Sequence, residues 1–101
     1  MVVKETAWDI VADVRFFPTE AGGRHSPTPP DRFSCIFEID DKFFDCRLHL
    51  AEVGSISPGE SARVPIQFLS PELVRPRLSI GTEFHLKEFG RIAHGVVRAL
   101  S

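Results

Sequence analysis

The sequence predicts an all-β domain, a sandwich or a barrel built from six short strands. Three observations carry that expectation. Six runs alternate apolar and polar residues with the period of two that places one face of a strand on a core. Turn-forming residues separate the runs at short intervals. No segment keeps a helical period. Closing the strands into a barrel would remove exposed edges, which matters for a chain of 101 residues.

Residues 9–17, DIVADVRFF, turn Ile10, Ala12, Val14 and Phe16 one way and Asp9, Val11, Asp13 and Arg15 the other. Residues 33–39, FSCIFEI, place Phe33, Cys35, Phe37 and Ile39 inward. Residues 43–50, FFDCRLHL, bury Phe44, Cys46, Leu48 and Leu50 and expose Asp45, Arg47 and His49. Residues 62–69, ARVPIQFL, bury Val64, Ile66 and Phe68. Pro65 cannot donate to a ladder, so this strand is expected to have a free edge there or a bulge. Residues 82–88, TEFHLKE, bury Phe84 and Leu86, and residues 91–100, RIAHGVVRAL, form the last strand.

The turns lie at Asp40-Asp41, at Ser57-Pro58-Gly59-Glu60, along the Pro71 to Pro76 stretch and at Phe89-Gly90. A two-residue turn at Asp40-Asp41 makes residues whose numbers sum to 81 face each other, so Phe37 meets Phe44 and Cys35 meets Cys46. A two-residue turn at Phe89-Gly90 sets the sum at 179 and opposes His85 to His94. The whole chain, 1–101, reads as a single domain, with residues 1–8 expected to be flexible.

Hydrophobic residues make up 43% and charged residues 26%, values of an ordinary globular domain. A net charge of −2 argues against a general nucleic-acid binder. Nine Phe, one Trp and no Tyr assign the aromatics mainly to the core. Lys4, Glu5, Asp9 and Asp13 break any apolar signal region, and no run is long enough to cross a bilayer as a helix. Two cysteines in such a chain are expected to be reduced thiols in a cytoplasmic protein, with no membrane partner.

Between the first two strands runs EAGGRHSPTPP, Glu20 to Pro30. Gly22 and Gly23 suit a sharp change of direction, and the prolines stiffen the remainder of the loop. Arg24 and His25 either lock this loop or offer it to a partner. The stretch GGRHSP is similar to the loop that opens the third domain of elongation factor Tu. IVADVRFFP resembles that domain's first strand, ISPGESARVPIQFLSP its proline-glycine turn and next strand, and GTEFHLKEFGRIAHGVV its closing hairpin. The matches keep their order from about Ile10 to Leu100.

The resemblance implies a six-stranded antiparallel Greek-key β-barrel. It implies partner contacts, with protein or with RNA, at Arg24 and His25 in the opening loop and at Lys87, Glu88 and Arg91 in the closing hairpin. Phe89 and Gly90 stand where that family has two glycines, and a phenyl ring there is expected to obstruct an RNA backbone. The chain lacks the G-x-x-x-x-G-K loop with a following Ser or Thr, so neither GTPase activity nor nucleotide binding is expected.

Other chemistry finds little support. His85 and His94 with Glu83 could ligate a metal, but a solvated polar face is the expected reading, with no metal and no cofactor. Cys35 and Cys46 could be bridged, yet both lie on the core face, where free buried thiols are expected. No nucleophile elbow, H-E-x-x-H or C-x-x-C is present. The expected function is therefore a non-catalytic binding module that docks a protein partner. RNA binding linked to translation is the alternative, and a metal or redox role ranks below both.

Overall fold

The computed structural model describes residues 8–101. The expected flexibility of 1–8 lies, apart from Trp8, outside the described residues. Six strands form: β1 (Ile10–Phe16), β2 (Arg32–Ile39), β3 (Lys42–His49), β4 (Ser61–Phe68), β5 (Glu83–Lys87) and β6 (Arg91–Leu100). They close into an antiparallel barrel in the order β1-β4-β3-β2-β5-β6, with β6 returning to β1. Each expected strand is present, with ends shifted by at most one residue.

The alternation read from the sequence becomes the core. Ile10, Ala12, Val14 and Phe16 of β1 and Val64, Ile66 and Phe68 of β4 are all buried. Phe37 sits at the centre, stacked on Phe84 at 4.3 Å between ring centroids and meeting Phe68 edge-on at 4.8 Å. Each such side chain removed from water contributes about 1.5–3 kcal/mol, and ring contacts of this geometry add about 0.5–1.5 kcal/mol. Phe44 departs from the pattern, being only half-buried at the margin of the core.

The β2–β3 hairpin keeps the expected register along its whole length, including Phe37 opposite Phe44 and Cys35 opposite Cys46. Asp40 and Asp41 make the two-residue turn with φ of 54° and 59°. Both residues on the left-handed side is the type I′ geometry that matches the twist of the strands.

At the β5–β6 hairpin the structure corrects the expected turn. The sum of 179 holds from Glu83 opposite Val96 to Leu86 opposite Ala93, but Lys87 then pairs with Arg91. Ile92 is left unopposed as a β-bulge, which lets both Ile92 and Ala93 reach the core. The connection is Glu88-Phe89-Gly90, with the Glu88 N–H donating to the Gly90 carbonyl at 3.0 Å.

Pro65 sits as a strand proline must. It pairs with Val11 of β1, and the β3–β4 ladder ends at Leu48 opposite Ile66, one residue before it. The Ile66 carbonyl and the Phe68 N–H turn toward β1, so the donor-less nitrogen of Pro65 faces the side where that ladder has stopped.

The stretch expected as turns from Pro71 to Pro76 contains a single helical turn, α1 (Pro71–Val74), followed by a 3-10 turn at Arg75–Arg77. Four residues are too few to show a helical period in sequence. Pro71 starts the turn where a missing N–H costs nothing, and Val74 is driven fully into the core.

Candidate functional site

Two connections and one sheet face meet at one region of the barrel. After β1 the chain makes a 3-10 turn at Thr19–Ala21, and Gly22 ends it at φ 93°. The Gly23 N–H donates to the Pro18 carbonyl at 3.0 Å. A β-carbon at Gly23 would lie 2.0 Å from the Phe17 carbonyl oxygen, so only glycine fits this close approach. The Thr19 hydroxyl then donates to the Arg24 carbonyl at 2.6 Å. Farther on, Thr28 is buried among the prolines. Its N–H donates to the Ile56 carbonyl at 3.0 Å and its hydroxyl accepts the Ile56 N–H at 2.9 Å.

Arg24 is thereby aimed at the closing hairpin. Its Nη1 donates to Glu88 Oε2 at 2.7 Å. Nε donates to the Ser26 carbonyl at 3.3 Å and Nη2 to the Pro27 carbonyl at 3.5 Å. The guanidinium also lies 4.6 Å from the centroid of the Phe33 ring. Of the two readings of this arginine, locking the loop is the one its contacts describe. His25 beside it is exposed.

Arg91 makes a two-pronged contact with Glu38 of β2, Nε to Oε1 at 3.0 Å and Nη2 to Oε2 at 2.9 Å. Glu38 is one of two buried polar residues among those described. The Arg91 hydrogen bonds hold its carboxyl below the usual range, against the opposing effect of burial. Lys87 points its Nζ at the Phe43 ring, 4.7 Å from the centroid. So the five residues expected to bind a partner are arranged unequally: Arg24, Glu88 and Arg91 are paired with charges of the same molecule, Lys87 lies half-buried over the Phe43 ring, and His25 is exposed.

The features sequence reasoning missed are the partners, Glu38, Phe33 and Phe43, together with the true exposure of Phe89. Phe89 stands at the hairpin tip fully in solvent, at 105% of its reference exposure, and Phe43 is 56% exposed. Glu38 could have been found from its outward position in the β2 alternation, since register alone places it beside Phe43. Its meeting with β5 and β6 was not readable that way.

A groove of about 500 Å³ runs across the outer face of β2, β3 and β4. Ser34, Ile36, Asp45, Arg47, Gln67 and Leu69 line it, and the core-facing Cys35 and Cys46 lie beneath it. Leu69 is 75% exposed at its rim.

His85 and His94 do face each other, with ring centroids 5.4 Å apart. His94 Nε2 lies 2.8 Å from Glu83 Oε1, so the carboxylate is engaged with one ring. Burial, with Arg91 and His94 nearby, pushes the His85 pKa down. Among the described residues no group of three or more potential ligands is placed to hold a metal ion. On the β1 side Asp13 takes both prongs of Arg63 at 2.8 and 3.1 Å and Arg98 Nε at 2.8 Å, which holds its carboxyl far below the usual range.

The described part of the molecule is thus a closed six-stranded antiparallel barrel whose surface carries several arginine–carboxylate pairs. In comparison with known proteins, the chain matches no protein-family model and no curated protein sequence.

Proposed function

We propose that this chain is a non-catalytic binding module of the cytoplasm, a barrel similar to the third domain of elongation factor Tu, that docks a protein partner through its closing hairpin. The observation that carries the reading is Phe89, a large apolar side chain presented wholly to solvent on a tip that two ion pairs hold in place. Exposed aromatic anchors on pre-ordered segments are the usual energetic centres of protein interfaces. Phe43 and Lys87, in contact with each other on the adjoining sheet face, extend the same surface.

The charge pattern favours protein over RNA. Arg24 and Arg91, the cations best placed to reach a phosphate backbone, are each matched to a carboxylate. The same pattern speaks against acid–base chemistry, because Asp9, Asp13, Glu38 and Glu88 are each engaged by arginine.

The test compares the wild-type protein with Phe89→Ala. A partner isolated with the wild type is titrated against both and mapped by NMR. Docking at the hairpin predicts at least tenfold weaker binding by Phe89→Ala and shifts centred on Phe43, Lys87 and Phe89. Shifts confined to the opposite end of the barrel would remove the proposal. Salt-sensitive binding of a T-stem RNA by wild type, undiminished in Phe89→Ala, would favour the RNA alternative.

A further inference from the structure

We propose that Cys35 and Cys46 form a redox-modification site, in which a hydroperoxide converts the two thiols into an intramolecular disulfide across β2 and β3. The residues are direct partners in the β2–β3 ladder. Facing positions in an antiparallel pair place their α-carbons about 4.5–5.5 Å apart, inside the roughly 4.4–6.8 Å range of disulfides. The two sulfurs are free and 3.7 Å apart, so bond formation needs side-chain rotation and no movement of the strands.

Two buried cysteines can be inert core filling. Two features distinguish this pair. The first is the direct facing geometry. The second is position: the side chains point into the core and are only 8% and 5% exposed, but the groove runs directly over both residues, so a small reagent has only a thin layer of protein to pass. A reagent as small as a hydroperoxide fits this approach better than a bulky disulfide reagent. Polar Ser34, Asp45, Arg47 and Gln67 around the groove keep it compatible with water and peroxide.

The chemistry balances in two steps. Cys35 loses its proton and its sulfur attacks the terminal OH oxygen of the hydroperoxide. The O–O bond breaks, Cys35 becomes a sulfenic acid, and the departing oxygen takes up that proton and leaves as water or an alcohol. The Cys46 thiol then loses its proton and its sulfur attacks the Cys35 sulfur. The S–O bond breaks and the oxygen leaves as water. Two thiols are oxidised by two electrons and one hydroperoxide is reduced. Contact with Cys35 and burial both push the Cys46 thiol pKa up.

The experiment treats the whole wild-type protein with hydrogen peroxide, then unfolds it in a thiol-alkylating reagent and measures intact mass. The expected result is loss of two hydrogens, no alkylation at either cysteine, a monomeric species, and full recovery of both thiols with dithiothreitol. The oxidised protein should melt roughly 10 °C higher, since the bond closes a loop of about a dozen residues. Two thiols still free after oxidation, a gain of oxygen without loss of the two hydrogens, or a disulfide-linked dimer would each overturn the proposal.

Discussion

Arg24 Nη1 lies 2.7 Å from Glu88 Oε2 and joins two connections that are 64 residues apart in the chain. The pair links the opening loop to the hairpin that carries Phe89. Its side chains are 16% and 35% exposed, so water screens the attraction in part. A double-mutant cycle with Arg24→Ala and Glu88→Gln should give a coupling of about 0.5–1 kcal/mol in denaturant titrations. A coupling indistinguishable from zero would mean that the hairpin is held without this contact.

Gly95 lies opposite Phe84 in the β5–β6 ladder, and the Phe84 ring covers it. A β-carbon there would stand 2.2 Å from the ring. Gly95→Ala should therefore destabilise the barrel by about 1–3 kcal/mol, lowering the melting temperature by roughly 5–20 °C. Combining it with Phe84→Leu, which frees the space, should recover part of that loss. An undiminished melting temperature in the single variant would contradict the packing described.

Acid should weaken the fold in two stages. Burial lowers the His85 pKa from its ordinary 6.5. Arginine contacts lower Glu38 from 4.5 and Asp13 from 3.8. All three are depressed in the folded state, so the unfolded chain takes up protons first. Each contribution is complete above the unfolded value and is lost as pH falls through the folded one. Denaturation midpoints should begin to decline near pH 6.5 and fall more steeply below about pH 4.5. His85→Gln should flatten the first stage and Glu38→Gln should reduce the second. Identical pH profiles for wild type and both variants would refute the assignment.

The β2–β3 turn holds two non-glycine residues at positive φ. Asp40 also pairs with Arg77 at 3.5 Å, whereas Asp41 is exposed and forms no ion pair among the described residues. Asp41→Gly removes the steric cost of the left-handed conformation at the expense of a more flexible unfolded chain. A net gain of ~0.5 kcal/mol is expected in urea unfolding, with an unchanged slope. A loss of stability would show that the Asp41 side chain has a role in the turn.

The candidate site was legible in part. The residues Arg24, His25, Lys87, Glu88 and Arg91 were identified one by one, but not who neutralises whom. Glu38 looked like any outward residue of β2. Its near-burial comes from lying between Phe43 of β3 and His85 of β5, beneath the Arg91 guanidinium. The bulge at Ile92 was equally hidden. Turn residues in sequence suggested a two-residue connection, and the choice of three residues depends on sinking Ile92 and Ala93 together into the core.

By itself, the sequence determined the strands, their inward faces and the Cys35–Cys46, Phe37–Phe44 and His85–His94 pairings. These arise from a period of two and from short turns, and both are properties of adjacent residues. Tertiary structure alone decided the rest. Closure set β1 between β4 and β6 and brought β2 beside β5, pairings between segments distant in the chain that local alternation does not encode. That arrangement ties Arg24 to Glu88 and Arg91 to Glu38 and leaves Phe89 as the exposed tip. Charge pairing needs two side chains within a few ångströms, and only the closed barrel brings these together.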